Sequence, residues 1–125
     1  MQEPMVVRAS DLGEGQSTAG VVRREAFSGG GAWIGTATTE PAVVSGWHHH
    51  GEHDTYVYCV RGAVRVESGP GGSRVAEAGP GDFVHIPPRA IHRESNPSGE
   101  VQLLVVARFG SGPVVVDVEG PAEGT

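Results

Sequence analysis

The chain has 125 residues, 38% hydrophobic and 19% charged, which bounds it to one globular domain with a real core. Its net charge of −6, spread without an acidic tail or basic arm, argues against nucleic-acid or anionic-membrane partners, because both need basic surface. A single cysteine, Cys59, excludes an intrachain disulfide.

In chain order, roughly the first 18 residues, rich in Glu, Gly and Ser, read as a loose arm with one edge strand at Val6-Val7. The opening MQEPMVVRAS has neither a basic nor an apolar signal region, and no apolar run is long enough to cross a bilayer, so a cytoplasmic location is expected. Turn signals then recur at Ser28-Gly29-Gly30-Gly31, Ser68-Gly69-Pro70-Gly71-Gly72, Gly79-Pro80-Gly81-Asp82, Asn96-Pro97-Ser98-Gly99 and Gly110-Ser111-Gly112-Pro113. Between them the β-branched and aromatic runs predict strands at Ala19–Ser28, Ala32–Thr39, Thr55–Val60, Ala63–Glu67, Arg74–Glu77, Asp82–Ile86, Val101–Arg108 and Val114–Val118. No stretch carries a convincing helical period. The prediction is an all-β fold, a small antiparallel β-barrel or jelly roll, in one domain over 1–125 with its core at about 19–118 and a frayed tail from Glu119.

Chemistry is concentrated in Trp47-His48-His49-His50-Gly51-Glu52-His53-Asp54. Neutral imidazole is the commonest protein ligand for transition metals. In a strand, residues two apart share a face, so His48 and His50 converge while His49 turns away. A metal needs ligands from several directions, and His92, just beyond Pro87-Pro88-Arg89, is the natural distant partner. A histidine-rich surface loop without a fixed ion is the competing reading. For His85, a structural role is the better expectation.

These residues resemble the cupin superfamily between Gly46 and Phe109. The first cupin motif pairs two histidines separated by one residue, then has a glutamate, six intervening residues and a glycine; His48, His50 and Gly62 match it. The second motif is matched by Gly81, Pro87, His92 and Asn96, with Arg89 where the motif prefers glycine. The resemblance implies a double-stranded β-helix of two antiparallel sheets around one divalent transition metal ion (Zn, Fe, Ni, Mn or Cu), held by His48, His50 and His92. It also exposes a departure: counting back from Gly62 puts Thr55 at the glutamate position, and threonine is a poor ligand. Asp54 can take that place if a bulge adds one residue before Gly62. His53 can take it if the strand starts early, and His53 is preferred as the fourth ligand. Some monocupins that cyclise aromatic polyketides resemble this histidine-rich arrangement.

An all-histidine shell is neutral and leaves the ion its full charge, which favours Lewis-acid chemistry on an anionic or enolisable ligand. The expected function is a metal-dependent enzyme on a small organic substrate, acting at a carbonyl, enolate or phenolate. With iron an oxygenase is expected; with zinc or nickel, an isomerase or cyclase. A non-catalytic binding or sensor cupin is the alternative. Asp54 is the candidate general base, or with Glu52 an orienter of a ligand imidazole. Trp33, Trp47 and Phe83 are candidates to line the pocket, with core packing the default, and Arg89 to meet an anionic substrate at its mouth. Cys59 reads as a buried filler, Asn96 as a turn-former, Gly62 and Gly81 as turn positions. Exposed edge strands make a homodimer plausible.

Overall fold

A computed structural model describes residues 3–121 of the protein. Eleven strands lie among them: β1 Gly13–Glu14, β2 Val22–Gly29, β3 Ala32–Thr39, β4 His48–His49, β5 Asp54–Arg61, β6 Val64–Ser68, β7 Arg74–Ala78, β8 Phe83–Ile86, β9 His92–Ser95, β10 Gln102–Phe109 and β11 Val116–Asp117. Short 3-10 turns at Ala9–Asp11 and Pro70–Gly72 are the only helical elements among the described residues. The strands form two antiparallel sheets, β1-β2-β3-β10-β5-β8 and β11-β4-β9-β6-β7, the two halves of a double-stranded β-helix.

Alternation in the sequence decides which side chains fill the space between the sheets. Trp33 and Ala37 of β3, Thr55, Val57 and Cys59 of β5, and Leu104, Val106 and Arg108 of β10 point inward and are buried. Register stacks them into rungs: Leu104 beside Ala37 and Cys59, Val106 beside Gly35 and Val57, Arg108 beside Trp33 and Thr55. The interior therefore runs from apolar at Leu104 to polar at Arg108. Val64, Val66 and Ala78 of the second sheet complete the apolar part. Cys59 packs there as a filler at 1% exposure, and burial raises its thiol pKa.

Several details differ from expectation. Val6 and Val7 form no strand; the edge strand is β1, paired with β2. The N-terminal arm is not loose beyond it, since Thr18 is buried and the Gln16 side chain donates to the Val115 carbonyl (2.9 Å). The C-terminal strand shrinks to β11 at the edge of the second sheet. Glu119 to Pro121 carry no regular structure, and the rest of the expected frayed tail lies outside the described residues. Strands β4 and β9 are not among the strands the sequence predicts. Both are short, and pairing between distant segments defines them.

A bulge does sit before Gly62: Leu103 pairs with Arg61 but Leu104 with Cys59, leaving Val60 extra. Gly62 follows with φ +76°, and a Cβ there would lie 3.1 Å from Gln102 Cα. The bulge lies downstream of Cys59, so it leaves the alternation from Asp54 to Cys59 untouched.

Candidate metal centre

His48 on β4 and His92 at the start of β9 are directly paired across the second sheet, and His50 follows His48 on the same face. All three are buried, at 0%, 1% and 2% exposure for His48, His92 and His50. Their rings approach to centroid distances of 4.3 Å (His48–His92) and 5.0 Å (His50 to either partner). Each offers one nitrogen within 4.8 Å of those of the other two.

The second nitrogen of each ring is fixed by the backbone. Nδ1 of His48 donates to Gly46 O (2.9 Å), that of His50 to Val114 O (2.9 Å) and that of His92 to Ala90 O (2.8 Å). With the proton held on Nδ1, the Nε2 lone pair of each ring is left for a ligand. Nε2 of His92 is buried with no partner at all. Burial, then the neighbouring His92, lowers His48 to about 4. Burial likewise holds His50 and His92 well below the usual histidine range. Three neutral imidazoles with converging lone pairs fit a divalent transition metal, whose bonds to imidazole nitrogen are about 2.0–2.1 Å.

His53, expected as a fourth ligand, does not join this group. Its backbone N–H and its Nδ1 both reach the carbonyl of His50 (3.0 Å each), closing the tight turn that Gly51 permits at φ +56°. The ring is buried beside Trp33, Gly31 and Gly110 instead. Asp54 starts β5 on its outer face, where it accepts from His85 Nε2 (2.8 Å) and is 44% exposed. The same geometry gives His85 its structural role, stacked on Tyr56 at 4.8 Å. Thr55 lies on the inner face of β5, and its Oγ1 is buried without a partner. His49 turns away, as alternation predicts, and its Nδ1 accepts from Gly51 N (3.0 Å). Glu52 pairs with Arg89 on the surface (3.3 Å). Of the expected pocket aromatics, Trp33 is buried, Trp47 faces outward under Arg93, and Phe83 is 77% exposed.

Three charged residues reach the centre that the sequence did not single out. Glu94 follows His92 by two positions and shares its inward face; its Oε1 lies 3.9 Å from His48 Nε2 and 3.7 Å from Arg23 Nη2. Arg23 on β2 donates Nη1 to Thr18 Oγ1 (2.7 Å) and approaches His48 Nε2 with Nη2 (3.2 Å). That contact uses the lone pair a metal would take, so metal binding has to swing Arg23 off His48. Arg108 lies over Trp33, 4.9 Å from the ring centre. Burial works to raise the Glu94 carboxyl, but Arg23, with the imidazoles and Arg108 behind it, outweighs burial and holds it below the usual carboxylate range. Burial and the like charge of Arg23 pull Arg108 down to about 9, so it remains a cation at neutral pH. Glu94 was legible by parity from His92. Arg23 and Arg108 carried no such signal, since arginine in an alternating strand reads as a solvent-facing residue.

A largely apolar cavity of about 170 Å³ reaches His92 from between β7 and β8, walled by Val66, Val84, Ile86, Pro87 and Ala90. A more polar one of about 220 Å³ reaches Arg23 beneath the N-terminal arm, past Gln16, Glu25 and Val115.

The model of the cupin domain family matches residues 35–107. No curated protein matches the sequence. Among solved structures, a conserved Klebsiella pneumoniae protein with a double-stranded β-helix domain superposes with a TM-score of 0.74 at 14% identity, over 94% of this chain and 99% of that one. The polyketide cyclase RemF from Streptomyces resistomycificus gives 0.73 at 19% identity, over 93% and 86%. Bacillus subtilis oxalate decarboxylase gives 0.73 at 19% identity, over 89% of this chain but 31% of that one. At these identities the likeness carries the fold.

Proposed function

The chain belongs to the cupin domain family, and from there we propose that it is a metal-dependent enzyme acting on a small organic substrate, with one divalent transition ion held by His48, His50 and His92. One observation carries this reading: three buried neutral imidazoles, each with Nδ1–H tied to a backbone carbonyl, bring their other nitrogens within 4.8 Å of one another. A histidine-rich surface loop would have neither the burial nor the fixed tautomers.

A bound ion would supply a Lewis acid that stabilises negative charge on a substrate carbonyl, enolate or phenolate oxygen. The chain's own residues supply the rest. The apolar walls around His92 exclude water and orient the substrate body. Glu94, rather than the outward Asp54, is the carboxylate beside the reacting region, and it anchors Arg23 when the guanidinium leaves His48. The polyketide cyclase and the decarboxylase among the structural neighbours make a cyclase- or lyase-type reaction the first to try.

Metal analysis of protein purified without an affinity tag tests the reading: about one ion per chain is expected. His92→Ala should lose the ion, and His53→Ala and Asp54→Ala should keep it. Absence of metal from the unmodified protein under metal-replete growth would overturn the proposal. A second reading, a non-catalytic binding cupin, draws support from the contact of Arg23 with His48, which satisfies one imidazole without a metal. Turnover of candidate phenols, diketones or keto acids by the metal-loaded protein separates the two.

A further inference from the structure

The space around the three imidazoles holds more positive charge and more unanswered donors than a metal centre needs. Arg23 and Arg108 are each 2% exposed, and among the described residues Glu94 is the one buried carboxylate that faces them. Arg23 is occupied at both terminal nitrogens, with Nη1 on Gln16 O and Thr18 Oγ1 and Nη2 between His48 and Glu94, and only its Nε lacks a partner. Arg108 is not: its Nε and Nη1 are buried with no acceptor. Directly beside it across the β5–β10 ladder, Thr55 Oγ1 is buried and unpartnered too. Buried polar groups are nearly always hydrogen-bonded, so two adjacent exceptions call for an acceptor from outside the chain. Each unanswered N–H of a buried guanidinium is a charge-assisted donor to an anionic oxygen such as that of a carboxylate.

The same rung continues from Thr55 to Ile86 of β8, and Ile86 is a wall of the cavity that ends on His92. Thr55 thus lies behind the cavity wall at Ile86, with Arg108 one strand further on. An apolar cavity of ~150 Å³ accommodates a benzene ring, and this one is about 170 Å³.

We propose that the site selects a small organic carboxylate, its acid group held by Arg108 and Thr55 and its apolar body, up to one aromatic ring, seated against Val66, Val84 and Ile86. This deepens the metal-enzyme reading, on which it rests for the chemistry done at His92, while the anion site itself is built from the chain alone. It also gives Thr55 a use. Where related chains place a ligating carboxylate, this one has a hydroxyl that leaves the local charge positive, so that the carboxylate comes with the substrate.

Calorimetric titration with benzoate and with benzamide, its neutral counterpart, on zinc-loaded and on metal-stripped protein tests this. Benzoate should bind roughly ten-fold or more tightly than benzamide, as expected for charge-assisted hydrogen bonds from Arg108. Arg108→Gln should erase that preference while zinc content stays at the unmodified level, which separates the anion site from direct benzoate–zinc contact. Thr55→Val, similar in shape, should weaken benzoate several-fold, and it carries the test should Arg108→Gln fail to fold. A preference for benzoate that depends on Arg108 in protein that takes up no zinc would support the carboxylate site and count against the metal reading. Equal binding of the two probes, no binding of benzoate, or unmodified benzoate affinity in Arg108→Gln or Thr55→Val would overturn the proposal.

Discussion

Arg89 takes a backbone conformation that suits glycine: φ is +60°, its N–H donates to Gly51 O (2.8 Å), and its side chain pairs with Glu52 in solvent. That hydrogen bond ties the two histidine-bearing segments together; the positive φ explains the motif's preference for glycine, and the solvent-facing side chain the tolerance for arginine here. An L-residue in the left-handed region costs about 1–2 kcal/mol. Arg89→Gly should therefore melt above Arg89→Ala by the equivalent of ~1 kcal/mol, because both variants lose the ion pair and only one relieves the backbone. Asn96 shows the opposite case, a turn residue whose whole amide is used. Its Nδ2 donates to Thr39 O and Glu100 O, and its Oδ1 accepts from Ser98 N and Oγ.

Among elements, β3 was legible to the residue because the Ser28–Gly31 turn sets its start and β-branched and aromatic residues fill it, and its burial alternates cleanly from Ala32 to Thr39. Strands β4 and β9 were not, since two and four residues hold no periodic signal, and only pairing with β11 and β6 makes them strands. In β5, alternation alone fixes the site's composition. Thr55, Val57 and Cys59 go in, and Asp54, Tyr56 and Tyr58 go out. The bulge comes too late, at Val60, to alter it. Along β10 the apolar and polar ends separate, which makes a testable division of labour. Leu104→Ala, at a site 1% exposed, should cost about 2–5 kcal/mol in chemical denaturation yet leave metal content unchanged. Loss of metal in that variant would show that the two ends are not independent.

For the whole molecule, the neutral histidines link stability to pH. His48 is lowered from 6.5 to about 4, and His50 and His92 are lowered as well. Between those values the unfolded chain takes up protons that the folded chain refuses. The contribution is complete above pH 6.5 and is lost as pH falls towards 4. In metal-stripped protein His48 alone accounts for about 3 kcal/mol of that loss. Urea titrations at pH 7, 5.5 and 4.5 should show the decline. His48→Gln, which cannot take a proton, should make it shallower, with His50 and His92 supplying the remainder; an equally steep profile in that variant would remove His48 as a source.

The sequence by itself determined the fold class and three converging histidines. Strand alternation, turn residues and motif spacing are local properties, and His48, His50 and His92 carry their signal in register. What surrounds those histidines was decided only by the tertiary structure. A one-residue difference in face sends Asp54 to solvent and Thr55 inward, and a turn closed on the His50 carbonyl takes His53 away. Arg23 on β2 and Arg108 on β10 meet Glu94 on β9 only because the two sheets face each other. Burial then changes the chemistry of residues that look like ordinary surface charges along the chain, because a charge removed from water must find its partner inside.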